Sequence, residues 1–499
     1  MALVQNFPFA VIVVYLASGV LCSVMSARVA KWYCLALNAA ATVLMGATLA
    51  YTVRTDESYV YWMGHFPAPW GNELRVGPLE TLMAAAFCGV MLLSLMGGMS
   101  HILEDCEPKK VNLYFSASCL LMSSLTSLVF TNDLFTAYVF VEINTITACA
   151  LIMLNYRSGQ ALVATTQYLI MSLLGSGLFL LGVMLLYDLT GHLLMEDIGA
   201  AVRNLAAYGG YVFPLTVIIG LFSIGMSLKS ALFPFHMWLP DAHSSATSAS
   251  SAILSGLVLK AYIFILLKIY CRVIGLDLIT VNRIPDVLFL FGAAAMVFGS
   301  VQALWEKDLK RMLAYSSVAQ IGYVFVGIGL GTLEGLLAAC LQILAHAFTK
   351  PMLFCAAGGF MGVSGGSRRL EDLRGAGRRD PASGAAFLVG TMSMIGVPLF
   401  GGFAVKAQLS LAAIERTGWK AWFALGAIVI STVLNALYYL HAVQKLFSKE
   451  GAPGVVQEKA RYSGMYLTAM GAMIALNVYF GIHWEGFTHV IERGLALFA

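Results

Sequence analysis

The stretch VFPLTVIIGLFSIGMSLKSALFPFHMWLPDAH, residues 212–243, decides how the chain is to be read. Val212–Phe233 is an apolar run of the length that crosses a hydrocarbon core, about 20 residues. It nevertheless carries Lys229, with Pro234 close behind. Proline removes a backbone donor and clashes with the preceding turn, so this helix is expected to be interrupted beside its lysine. Interrupted helices occur at membrane depth where the freed carbonyls and amides line a hydrated cavity.

The rest of the chain agrees. Of its 499 residues, 59% are apolar and 11% charged, against about a quarter charged in soluble domains. Mean hydropathy is +0.81. A soluble core of this size does not hide so much apolar surface, so the fold class is an all-α integral membrane protein in a lipid bilayer. Segments of spanning length number 14: Phe9–Met25, Trp32–Thr52, Leu79–Leu103, Val111–Phe130, Leu134–Leu154, Ala161–Tyr187, Val212–Phe233, Ala249–Cys271, Val287–Leu304, Met312–Gly329, Leu333–Gly362, Ala385–Ala413, Ala421–Val443 and Gly464–Trp484. Between them, Val53–Gly77 is rich in Tyr, Trp, Gly and Pro and suits a surface hairpin. Leu193–Ala207 has amphipathic spacing and is expected to lie in the interface. Ser364–Ser383 is basic and glycine-rich and reads as a solvated loop. The N-terminus lacks a basic n-region and reads as a first span, not a cleaved signal.

Net charge is +4, which calls for no nucleic-acid partner. The nine cysteines form no CxxC, so neither a metal cluster nor a disulfide framework is expected. With no dinucleotide fingerprint or haem ligand pair either, no cofactor is expected, and the chain has no redox centre of its own. Enzymatic activity is left to any oxidoreductase complex that holds it. Basic residues fall mostly on one side of the spans, among them Arg28, Lys31, Lys109, Lys110, Arg157 and those of Arg368–Arg379. By the positive-inside rule both termini are predicted on the outer side of the cell (inner) membrane.

Ionisable groups at mid-membrane cost a few kcal/mol each and mark function by default. Here they are Glu142, Lys229, Lys260, His346, Lys350 and Lys406. Each also has a plain reading: a lysine near a helix end snorkels to the headgroups, and a buried His or Glu is simply hydrogen-bonded structure. Yet an acid, several lysines and a histidine on different helices form a series, and burial shifts each toward neutrality, as a proton relay requires. His346 and Lys350 share a helix face. His236 and His243 flank the WLPDA turn and are placed to link the line to solvent, although His243 fits a helix-cap contact equally well. Lys229 in the seventh span and Lys406 in the twelfth both neighbour a proline break. An offset of five spans inverts topology, the trace of an inverted repeat. A third break is expected near Pro351, whereas Lys268, near a helix end, is expected to tolerate change.

The motifs FPFHMWLPDAH, SAILSGLVLK, KRMLAYSSVAQIGYV, AHAFTKPMLF and GVPLFGGFAVK, taken in order, resemble the proton-translocating antiporter-like subunits. That superfamily is shared by respiratory complex I, Mrp cation/proton antiporters and membrane-bound hydrogenases. The resemblance is densest over about Val111–Val443 and strongest to the Mrp antiporter D subunit or its hydrogenase equivalent. It implies two inverted five-helix repeats, 111–271 and 284–446, between three N-terminal spans with a surface loop (1–110) and a single fourteenth helix (447–499), with spans 7 and 12 interrupted. By position it makes Glu142 and Lys229 an ion pair, Lys260 and His346 central relay groups, and Lys406 the terminal lysine; His236, His243 and Lys350 are secondary. Thr247 and Ala249 stand where relatives often carry prolines. The implied function is translocation of H⁺, or Na⁺/H⁺ antiport, as one subunit among other membrane subunits. The alternatives are a membrane-arm subunit of a redox-driven pump and, ranked lower, a solute carrier.

Overall fold

The computed structural model describes residues 3–68, 70–156, 158–207, 209, 211–281, 283–416 and 418–498. Arg157, one of the basic residues used for orientation, lies outside the described residues. Among the described residues, thirteen helices are long and apolar enough to cross a membrane. They comprise spans 1 to 11, at Phe7–Val24, Ala27–Thr55, Pro78–Asp105, Val111–Phe130, Leu134–Met153, Ala161–Thr190, Val212–Lys229, Ser248–Ile274, Ile284–Trp305, Leu309–Leu330 and Leu333–Gly362, and spans 13 and 14, at Trp419–Leu446 and Gly464–Ile482. The twelfth consists of two shorter pieces, Pro381–Ile395 and Gly401–Arg416.

The seventh and twelfth helices break as expected. The seventh stops at Lys229 and resumes, after a 3-10 turn, as Trp238–Ser245. Ala231 in the first gap and Leu399 in the second have φ of 57° and 77°. This left-handed region is uncommon for residues with a Cβ, so packing on both sides holds these gaps open. The break expected at Pro351 is absent: helix Leu333–Gly362 runs through it. The irregularity lies opposite instead, in the eighth span, where Leu254–Val258 is a π-helix. Gly256 of that segment sits so close to the Pro351 ring that a Cβ there would lie 2.6 Å from Pro351 Cγ. A wider turn on one helix thus receives the proline of the other, a usual place for a π-bulge at a working site. Thr247 caps the eighth span by accepting from Ser250 N at 3.0 Å, which replaces a proline's role in starting the helix.

Spans 8, 10 and 11 are wholly buried across their hydrophobic windows, whereas spans 1, 2, 6, 13 and 14 are mostly lipid-facing. One face of the molecule carries the Arg368–Arg379 stretch; here it is called the basic face. The stretch is less solvated than its composition suggests, since Leu373, Ala376 and Asp380 are buried and Asp380 Oδ1 accepts from Ser383 N at 3.0 Å. The other face carries an antiparallel hairpin, β1 (Tyr59–Trp62) and β2 (Glu73–Val76), and the amphipathic helix Met195–Ala207. A second amphipathic helix, Trp484–Ala496, follows span 14 on this face; the sequence reading had merged it into the C-terminal segment.

Lys268, near a helix end in the sequence, is fully buried, donating to the carbonyls of Val129, at 2.9 Å, and Thr131. Beside it, Arg272 and Glu80 form an ion pair with side chains 3% and 1% exposed, and Phe498 covers the guanidinium at 4.0 Å. Breaking a buried pair strands the remaining charge, at roughly 3–5 kcal/mol. Glu80→Ala is accordingly expected to lower the thermal stability of the assembled protein sharply, and Arg272→Met on that background to restore part of it, as read by heat-challenge aggregation. A neutral Glu80→Ala would show that the pair is dispensable.

Candidate functional site: a buried lysine line

Each buried lysine of the axis is held by oxygens, because an ammonium in an apolar interior requires acceptors for its three donors. Lys229 ends its half-helix and donates to Thr145 Oγ1 at 2.7 Å, with its Nζ 5.0 Å from the Tyr262 ring centre. Gly175 makes room for it: a Cβ there would meet Lys229 Cγ at 2.9 Å. Lys260, one span further in, turns back to the Ser255 carbonyl inside the π segment, a bond that the wider turn supplies. Lys350 donates to Leu313 O at 2.8 Å and Ser316 Oγ at 2.6 Å. Lys406 donates to Ile395 O at 2.6 Å, Met394 O at 3.3 Å and Thr432 Oγ1 at 2.9 Å. Those carbonyls end the first half of the broken twelfth span, the negative end of a helix dipole, and the break therefore builds a cation seat.

Hydroxyls fill the space between lysines. Ser316 Oγ and Tyr439 OH are 2.9 Å apart, and Tyr438 packs on Tyr439 with ring centres 4.7 Å apart. Tyr438 OH donates to Asn435 Oδ1 at 2.5 Å, and Ser300 bridges Asn435 to Ser431 at 3.4 and 3.0 Å. Tyr323, whose ring centre is 5.7 Å from Lys406 Nζ, closes the run. On the other side, Tyr262 OH donates to Asn144 Oδ1 at 3.3 Å. The sequence reading missed these tyrosines, serines and Thr145. Their signal is polar residues recurring within spans that are apolar on every other face, notably AYSSVAQIGYV and ALYYL.

The structure buries Lys229, Lys260, His346 and Lys350 and leaves Lys406 half-buried; of these it brings Lys260, His346 and Lys350 within electrostatic range of one another. His346 lies within electrostatic range of Lys260, Lys350 and His243, and its Nε2 has no hydrogen-bond partner among the described residues. His243 is buried with its ring on Phe354, at 4.8 Å, inside the same group. His236 lies to one side, its ring on Phe233 at 5.5 Å. Glu142 is half-buried on span 5 and, among the described residues, makes no ion pair within 4.0 Å. It lies within electrostatic range of Lys229, one helical turn before the Thr145 that holds the lysine. Among the described residues, no group of three or more His, Cys, Asp or Glu side chains is arranged to bind a metal ion.

Fold and site together define a polytopic helical membrane protein with an enclosed lysine, histidine and hydroxyl axis between two broken helices. Residues 131–435 match the family described as NADH:quinone oxidoreductase/Mrp antiporter, TM, and the chain belongs to that family. It is similar to the NADH-quinone oxidoreductase N subunit of Desulforudis audaxviator, with 34% identity over 431 residues covering 85% of this chain and 81% of the relative. It is also similar to the Na(+)/H(+) antiporter D subunit of Alkalihalophilus pseudofirmus, at 26% over 447 residues, covering 89% and 87%. In fold it matches a chain of the Mrp complex from Dietzia sp. DQ12-45-1b, with TM-score 0.88, 23% identity and 99% and 97% of the two chains covered. A chain of the membrane-bound sulfane sulfur reductase, an archaeal respiratory membrane complex, matches with TM-score 0.85 and 25% identity over 100% and 98%.

Proposed function

We propose that the chain is a proton-translocating subunit of a multi-subunit membrane complex, working with other membrane subunits. The observation that carries this reading is four lysines on separate spans, three buried and one half-buried, each on oxygens it can exchange for water, with His346 close to two of them. A buried lysine is readily neutralised, so each is both a proton acceptor and a donor. Spans 4–8 and 9–13 form the two inverted repeats, each contributing one broken helix, and the basic face is the inner side of the cell membrane.

The switch is the choice of partner for Lys229. On Thr145 it is held by a neutral hydroxyl and releases its proton readily. On Glu142, one turn away, the carboxylate favours the charged form. Movement of Lys229 or of span 5 between these partners therefore loads and unloads the proton, which passes through Tyr262 and water to Lys260, then His346 and Lys350, and along the tyrosine run to Lys406. Expulsion from Lys406 is driven by the next charge arriving behind it.

Two drivers fit the same line. Kinship with the antiporter relative favours exchange of H⁺ against Na⁺, whereas 34% identity to a quinone-reductase relative favours a redox-driven pump. Vesicles holding the assembled complex separate them: proton movement on a Na⁺ gradient supports the first, and proton movement on supplying a reductant supports the second. Failure of both would remove the functional reading.

Orientation has its own test. Reporter fusions or impermeant labels placed within Arg368–Arg379 are expected on the inner side, with both termini outside. Labelling of that stretch from outside would reverse the direction of transport proposed.

A further inference from the structure

The buried line needs a mouth, and the basic face has a polar cavity of about 540 Å³ between spans 3, 8, 10 and 11. His101, Glu104, Asn155, Ser244, Ser248 and Lys310 are among its lining residues. A second cavity of about 390 Å³ shares His101 and Glu104 as its wall and reaches the buried carboxylate of Asp380. His101 thus stands between two polar cavities, half-buried near the basic-face end of span 3. The charged groups within electrostatic range of it are Glu104 on its own helix, Lys310 on span 10 and Asp380 at the start of span 12. From span 11 a glycine faces it. A Cβ on Gly358 would lie 2.7 Å from both His101 Nε2 and Ser248 Oγ, so any larger residue would close the gap between them.

The cavity floor leads into the relay. Lys310 is buried, with Nζ on the Ala246 carbonyl at 2.5 Å. It lies within electrostatic range of His243, as do Lys350 and Lys260 deeper in. Both ring nitrogens of His243 are buried without a hydrogen-bond partner among the described residues. Buried polar atoms are as a rule hydrogen-bonded, so two open nitrogens on one buried ring are free to take part in proton transfer.

We infer that His101 is the proton-loading residue of this chain, taking protons from the basic-face cavity and delivering them past Ser248 to His243. One ring nitrogen binds a proton from cavity water as the other releases its own inward. The ring ends neutral with its tautomer exchanged, and a return flip resets it. The inference rests on the proton-relay reading above.

The test uses the assembled complex in membrane vesicles, with proton movement followed by a pH-sensitive dye. His101→Ala is expected to slow proton transport by about ten-fold or more. Added imidazole, small enough for the cavity, is expected to restore much of the rate, and His101→Gln, which keeps bulk and hydrogen bonding, is expected to remain slow. A parent rate in His101→Ala, recovery in His101→Gln, or a loss that imidazole does not relieve would each overturn the assignment. If neither variant assembles, Ser158→Cys at the cavity wall serves instead: an impermeant bulky thiol reagent applied at the basic face is expected to block transport, and an unchanged rate would overturn the assignment. A parent complex that moves no protons would instead remove the relay reading itself.

Discussion

Lys229→Ala is expected to abolish transport, by about 100-fold or more, in a complex that still assembles. The side chain donates to Thr145 Oγ1 and packs in a slot made by Gly175. Its loss leaves a small gap and one unpaired hydroxyl, which a water satisfies, so the fold survives. What disappears is the group poised between the neutral partner and the carboxylate one turn away. Lys229→Arg separates charge from exchange. Guanidinium keeps the charge and the bond to Thr145 but does not release a proton in a protein. Arg at this position should therefore be as inactive as Ala. Transport at the parent rate in Lys229→Arg would mean that a fixed positive charge suffices and that the lysine never hands on its proton. Initial rates of dye quenching in vesicles, normalised to the assembled complex, give the comparison.

Much of the fold was legible because lipid simplifies the code. Backbone groups must be satisfied within each segment, so spans appear as apolar runs; thirteen of the 14 expected segments are spanning helices among the described residues, and the other is two shorter pieces. The breaks at Lys229 and before Lys406 were legible because proline and glycine sit beside a charge that has no other reason to be there. Pro351 misled for a physical reason. A helix interior tolerates proline in a membrane when a neighbour adapts, and here the eighth span does so by widening to a π turn against the ring. Nothing in AHAFTKPMLF announces that partner. Lys268 is a similar case. Its position in the sequence is near a helix end, yet the C-terminal end of span 4 and the pair Glu80–Arg272 close over it. Burial of that kind depends on long-range packing, which periodicity does not carry.

Of the site, the titrating groups could be read from sequence and their connections could not. A lysine in an apolar run is conspicuous, whereas a tyrosine or serine there is ordinary. Tyr439, Ser316 and Thr145 gain their meaning only from distances to lysines far away in sequence. The sequence also suggested a closed ion pair between Glu142 and Lys229. The structure has Lys229 on Thr145, with the carboxylate within electrostatic reach but not in contact. We propose that this separation is one position of a two-position switch, and the switch is the central claim.

Transport by a Glu142→Gln complex tests it most directly. Glutamine keeps the size and hydrogen bonding of the glutamate and removes only the charge that draws Lys229 from Thr145. Its half-buried position on span 5 places no packing demand that the amide fails to meet, so assembly is expected to be normal. Lys229 is then left with neutral partners in both positions, its proton affinity no longer alternates, and proton transport is expected to fall by about 100-fold. Proton movement at the parent rate in an assembled Glu142→Gln complex would contradict the switch.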